Sequence, residues 1–455
     1  MQTAKDEELP FHLQGNFAPV TDEITGDDLT VEGAIPPELN GVYMRIGPNP
    51  ATGESPHWFT GDGMLHGVRL EGGKASWYRN RWVQTRALED PDLQMISEGG
   101  EVDHSIAVAN TGIVRHAGKF MALVETSFPT EVTPGLDTVG TYDFDGKLTT
   151  AMTAHPKICP VTGEMHFFGY GFFPPYLVYH RVDAEGRLVQ SQEIDVTGPT
   201  MIHDFAITEN NVIFMDLPVV FDLEAAMASL GGGQPQPGAG LPYHWSDDYP
   251  ARLGVMPRGV PGAAVRWYDI DPCYIFHPFN ARDAEDGSIV LDVCRYPELW
   301  RGGSDNFNSA VPHRFVIDPA GGRVSESQIV DEPAEFPRVD DRLVGSRVRY
   351  GYAVSSPDLL VGPGELAKIL KIDFDTGNNT AYDLPTGQVP GEATFAPVGE
   401  GEDEGYLMFF AYDKSRDGSD LVILDASQPQ AGPVARVAMP RRVPFGFHGN
   451  WFADQ

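Results

Sequence analysis

Short apolar runs rich in Val, Ile, Leu, Phe and Tyr, each closed by a glycine or proline turn, leave this chain few folds to adopt. Examples are GIVRHAGKFMALVE, NNVIFMDLPVVF, GSIVLDVCRY, DLLVGP, EGYLMFFAYD and SDLVILDA. The turns between such runs read DFDGK, DAEGR, DPAGGR and DFDTGN. Fifty glycines and 38 prolines break the chain throughout, and long helical periodicity is nearly absent. Many short strands at this spacing specify an all-β barrel, sandwich or propeller. Length selects the propeller, because 455 residues supply about seven blades of roughly 40 to 65 residues each. The expected fold is therefore all-β: a seven-bladed β-propeller, with irregular loops and short helices capping one face. It is expected to occupy 1–455 as a single domain, with about 1–30 as an N-terminal extension. DLEAAMASLGGG, at 222–233, is the one segment with helix formers ending in glycines.

Charge narrows the partners. Against 32 Lys and Arg stand 65 Asp and Glu, a formal charge of −33 that repels phosphate backbones and disfavours a basic grip on anionic lipid. Nucleic acid is excluded as an expected partner. Cys159, Cys273 and Cys294 form no CxxC pair and are too few for a disulfide framework, so they read as reduced thiols. No basic segment followed by an apolar core opens the chain, and no run of about 20 apolar residues occurs. The expectation is a soluble, cytoplasmic protein.

Four of the 13 histidines share a setting: His155 in TAHPK, His203 in MIHDF, His277 in IFHPFNA and His448 in GFHGNW. Each adjoins an apolar or aromatic run. They lie 48, 74 and 171 residues apart, which is neither a zinc-finger nor an HExxH spacing but suits ligands delivered by different blades to a common axis. Taken singly, each reads as a core histidine bonded to backbone, and His57, His66, His104, His116, His166 and His180 show how freely this chain uses histidine. Three glutamates also sit in apolar company, where an unpaired charge is costly: Glu125 in LVETSFP, Glu335 in AEFPRV and Glu392 in PGEATFAP. Metal-bound imidazoles commonly give their second N–H to such a carboxylate.

As an ordered set, NGVYMRIGPNP, HWFTGDGMLHG, HAGKFMALVE, TAHPK, MIHDFAIT, FHPFNA and PFGFHGNW resemble the carotenoid cleavage oxygenases, from about Leu39 to Trp451. The resemblance implies a seven-bladed propeller carrying one non-haem ferrous ion per chain. It implies His155, His203, His277 and His448 as the iron ligands. It also implies that Glu125, Glu335 and Glu392 orient His203, His277 and His448, leaving His155 without a carboxylate partner. Thr111, in VANTGIV, falls where some members place a small side chain over an open coordination position. Imidazole suits ferrous iron, and three nearby carboxylates moderate its charge. The implied partners are O2 and an apolar conjugated substrate, whose C=C bond is split into two carbonyl products. Neither a GxSxG elbow nor an HExxH motif offers a different chemistry.

Aromatic stretches beside these histidines supply candidates for a substrate tunnel: Trp58, Phe59, Phe168, Phe276 and Phe279, with Val124. Stilbene-cleaving members commonly carry a lysine where Val124 stands, so an apocarotenoid or carotenoid is expected ahead of a stilbene. Lys119, nearby in sequence, reads as a strand-turn lysine. The 222–233 segment, with Leu223, Met227 and Leu230, is either a helix packed on the propeller or an entrance in weak peripheral contact with lipid. Retinoid isomerisation with ester cleavage, a non-catalytic binding scaffold and a hydrolytic calcium or zinc propeller are the remaining alternatives. The motifs do not reveal the isomerisation, the scaffold gives no reason for four histidines and three glutamates in apolar settings, and the hydrolytic site calls for oxygen-rich ligands or fewer histidines.

Overall fold

Alternating apolar residues give each strand one or two buried faces, and the sheets stack these faces against one another around an axis. The computed structural model describes residues 9–97, 100–230, 240–304, 308–356 and 366–454. Among these residues, seven antiparallel sheets of four to six strands follow one another in chain order and form a seven-bladed propeller. The innermost strands are Gly449–Ala453, Gly112–His116, Lys157–Ile158, Ala206–Ile207, Tyr274–Asp283, Glu335–Arg338 and Thr394–Pro397.

Both ends of the chain close the ring. Gly449–Ala453 pairs with Gly41–Pro48 in the first blade, with Val42 opposite Phe452 and Met44 opposite Asn450. Val31–Gly33 in turn joins the last blade, with Glu32 opposite Arg436. The expected N-terminal extension, about 1–30, leads into the first blade. Thr25–Asp27 adds an edge strand to Lys74–Trp82, and Phe17 packs edge-on against Trp58 at 5.1 Å.

Large apolar side chains fill the spaces between blades. Phe168, Phe205, Phe214 and Tyr179 are fully buried together between the third and fourth. Among the described residues, helix is confined to short pieces such as Arg86–Glu89 and Leu223–Leu230. The second lies within the segment expected to be helical, whose closing glycines at 231–233 fall outside the described residues. So does the DLLVGP run at 358–363. No described helix is long and apolar enough to cross a membrane.

Candidate metal centre

The entries to the innermost strands aim side chains at the propeller axis. His155 lies two residues before Lys157–Ile158, and His203 lies three before Ala206–Ile207. His448 immediately precedes Gly449–Ala453, and His277 sits inside Tyr274–Asp283, where the register shifts between Ile275 and Pro278. One nitrogen from each ring lies within 4.8 Å of those of the other three. The Nε2 atoms of His155 and His203 are 3.0 Å apart, and those of His203 and His277 are 3.1 Å apart. Histidines outside the cluster behave differently: His116 bonds the Gly163 carbonyl, while His66 and His166 bond the hydroxyls of Tyr78 and Tyr179.

The three glutamates fix which nitrogen faces inward. His203 Nδ1–H donates to Glu125 Oε1 (2.6 Å), His277 Nδ1–H to Glu335 Oε2 (2.7 Å) and His448 Nδ1–H to Glu392 Oε1 (2.9 Å). With the proton held on Nδ1, each Nε2 presents a lone pair to the shared centre. Several lone pairs pointed at one another repel unless a proton or a cation lies between them, so the donor set fits a metal ion of imidazole preference.

Each carboxylate is itself held. Tyr170 O–H donates to Glu125 Oε2 (2.8 Å). The Gly449 amide donates to Glu392 Oε2 (2.8 Å), and Arg338 stands 3.6 Å from the same oxygen. Glycine is required at 449, because a Cβ there would lie 2.8 Å from the Met44 carbonyl oxygen. Glu335 precedes Phe336, which adopts φ +52°, a conformation costly for a bulky side chain. The register shifts here, between Glu335 and Arg338. In a regular strand adjacent side chains point to opposite faces. This irregularity instead lets Glu335 bond His277 while Phe336 packs against His277 (5.9 Å) and His448 (5.4 Å).

Electrostatics separates the four rings. Burial pushes the His155 pKa well below the ordinary value, and the neighbouring rings and Lys157 push the same way. Burial also lowers His448, against the pull of Glu392. At His277 burial is outweighed by the charge and hydrogen bond of Glu335, so its pKa is raised. Burial opposes ionisation of Glu392, but His448, Arg338 and the Gly449 amide outweigh it and hold the carboxyl down at about 2. A depressed carboxyl stabilises the fold above its unfolded value and loses that contribution as pH falls through its folded value. Between pH 4.5 and about 2 the metal-free protein is therefore expected to lose urea resistance. Glu392→Gln is expected to flatten that acid limb, as measured by urea titration at several pH values.

Asp204 escapes the sequence reading. It directly follows His203, is 2% exposed, and its Oδ2 lies 3.9 Å from His155 Nδ1, beyond hydrogen-bond reach. Lys157 Nζ holds it at 2.8 Å. His155 is thus the one ring of the four without a hydrogen-bonded carboxylate among the described residues, although a carboxylate stands near it.

A cavity of about 370 Å³ opens beside the cluster, lined almost wholly by apolar and aromatic side chains. Phe59, Val124 and Phe276 line it, as does Thr111, whose hydroxyl donates to Asn110 Oδ1 (2.8 Å). Met95, Met201, Leu241, Tyr243, Phe336 and Phe447 also line it, without having been singled out in the sequence. The other tunnel candidates lie elsewhere. Phe168 is buried between blades against Phe205 (5.3 Å), and Trp58 packs on Phe17 and on Phe447 (4.6 Å). Phe279, three residues beyond Phe276 on a bulged strand, faces Phe374 and the other end of the axis. Among the described residues no lysine lines the apolar cavity, and Lys119 instead pairs with Glu131 (2.6 Å).

Comparison with known proteins places the chain in company. Residues 17–453 match the family described as RPE65, retinal pigment epithelial membrane protein. A carotenoid cleavage oxygenase of Mycobacterium tuberculosis is 39% identical over 97% of each chain. The carotenoid 9,10(9',10')-cleavage dioxygenase 1 of Arabidopsis thaliana is 34% identical, covering 99% of this chain and 91% of its own. Among solved structures, the Pseudomonas brassicacearum lignostilbene dioxygenase superposes with a TM-score of 0.86 at 27% identity, covering 98% of this chain and 99% of its own. Cobalt-substituted Synechocystis apocarotenoid oxygenase superposes with a TM-score of 0.82 at 27% identity, covering 96% and 97%.

Proposed function

Because this chain belongs to the RPE65 and carotenoid cleavage oxygenase family, we propose that it is an Fe(II)-dependent oxygenase that splits a conjugated C=C bond of an apocarotenoid or carotenoid into two carbonyl products. The observation that carries the reading is the convergence of four imidazoles, three of them clamped by glutamates, at the head of an apolar cavity. His155, His203, His277 and His448 would hold the ion. Ferrous iron bound there would supply the binding and activation of O2 that an alkene cleavage needs.

The chain's own residues do the rest. Glu125, Glu335 and Glu392 hold the Nδ1 protons and fix the ring planes. A divalent cation beside three carboxylates leaves one net negative charge, which lowers the cost of burying the ion. Thr111 and Val124 keep the wall next to the histidines small, leaving room for a flat polyene. Phe59, Phe276, Phe336 and Phe447 exclude water and pack against the conjugated chain. Phe173 and Leu223, 39% and 45% exposed, provide an apolar surface for weak contact with the membrane in which such substrates dissolve.

Val124, and the absence of a lysine among the lining residues, favour a polyene over a phenolic stilbene. Iron analysis of purified protein, with O2 uptake and mass spectrometry on a panel of apocarotenals and hydroxystilbenes, tests the proposal. The expected result is one iron per chain and cleavage of an apocarotenal into two carbonyls. Turnover of stilbenes alone would transfer the substrate to the stilbene class, and activity without iron or O2 would end the oxygenase reading.

A further inference from the structure

The four-histidine cluster separates two cavities that differ in their share of charged groups. The first is the apolar one described above. The second, of about 440 Å³, is lined by residues of the innermost strands or their entries in all seven blades, and therefore lies on the propeller axis. Its polar wall includes Arg115, Lys157, Asp204, Arg338, Asp341 and Arg342, and exposed Asp341 and Arg342 bring it to the surface. His155 lines only this axial cavity, His203 only the apolar one, and His277 and His448 line both.

We infer that the axial cavity is the loading route for the hydrated ferrous ion, controlled by the Lys157–Asp204 pair, with His155 the last ligand to engage. The inference rests on the ferrous reading above. A divalent cation arrives wrapped in water, and an apolar wall cannot replace those waters without a large desolvation cost. The axial wall is mixed, and its carboxylates, Asp204, Asp341 and Glu392, are the groups that can take the place of those waters. At its inner end stands Asp204, buried and anchored by the Phe205 amide, beside His155. Lys157 Nζ covers both Asp204 oxygens, at 2.8 and 3.0 Å. Lys157 keeps 20% side-chain exposure and a flexible stem, so it can withdraw and uncover the carboxylate, whereas Asp204 is fixed. His203, His277 and His448 are each pinned by a glutamate, whereas no carboxylate among the described residues holds the His155 ring by a hydrogen bond, so it is the ring least constrained as the ion settles.

The test follows cobalt uptake. Apoprotein is mixed with Co(II) under nitrogen in a stopped-flow instrument, and ligand-field absorption reports occupancy without any turnover. Lys157→Met removes a repelling charge and is expected to speed loading by about tenfold, with Lys157→Glu faster still. Asp204→Asn leaves the lysine uncompensated and is expected to slow loading by a similar factor. All these effects should shrink as salt is raised. General damage to the fold would not give changes of opposite sign, and the two Lys157 variants keep the test decisive if Asp204→Asn fails to fold. Uptake at the wild-type rate in the charge variants overturns the route alone. Wild-type apoprotein that takes up no cobalt overturns the metal centre itself, and the route with it.

Discussion

Replacing His203 with alanine is expected to lower cleavage activity by at least about 100-fold and to strip the metal from the purified protein. Its Nε2 stands within 3.1 Å of two partner rings, and its Nδ1 holds the Glu125 carboxylate. The substitution removes one of four donors and leaves Glu125 facing a void, with Tyr170 as its remaining hydrogen-bond partner among the described residues. Loss of an outer carboxylate alone typically costs 10- to 100-fold in affinity or activity, so loss of a ligand should exceed that range. Metal analysis and O2 uptake on the same folded sample check it. Full activity and full iron in His203→Ala would remove the basis for the oxygenase.

Glu335→Gln is expected to lower iron affinity or turnover by about 10- to 100-fold while leaving the fold in place. Glu335 is 4% exposed, and its Oε2 accepts both the His277 N–H and the Phe336 amide. A glutamine carbonyl can still accept both, but the charge that raises the His277 pKa is gone, and the amide N–H2 takes the place of the buried Oε1, which has no hydrogen-bond partner among the described residues. The strained backbone at Phe336 gives the loop little freedom to accommodate it. Iron titration and steady-state kinetics measure the loss. Glu392→Gln should do more harm to stability than Glu335→Gln, because it leaves partly buried Arg338 with a weaker partner. Unchanged iron content and turnover in Glu125→Gln, Glu335→Gln and Glu392→Gln together would contradict the roles given to all three.

Much of this architecture is legible in the chain. Turn residues between short apolar runs give the propeller. His155, His203, His277 and His448 stand out because apolar runs surround them, and the fold brings all four together. The glutamates stand out because an apolar setting gives a lone carboxylate no solvation. Side-chain direction was harder to read. Phe167 and Phe168 are neighbours on one strand and must point to opposite faces, so proximity to a motif could not place Phe168 in a tunnel. Phe276 and Phe279, three residues apart, fall on opposite faces in the same way, whereas the bulges in Tyr274–Asp283 let adjacent Phe276 and His277 both line the cavity. Asp204 was hidden because its partner, Lys157, comes from another blade. Met95, Leu241 and Tyr243 reach the cavity from loops and a hairpin whose sequences carry no periodic signal.

The most direct measurement is anomalous scattering at the iron absorption edge from crystals of the protein purified with ferrous iron. One peak per chain is expected, within coordination distance of the Nε2 atoms of His155, His203, His277 and His448, with Glu125, Glu335 and Glu392 bonded only to the outer ring nitrogens. An ion ligated by carboxylates, a peak at another place on the propeller, or imidazoles bonded to one another around no ion at all would contradict the account.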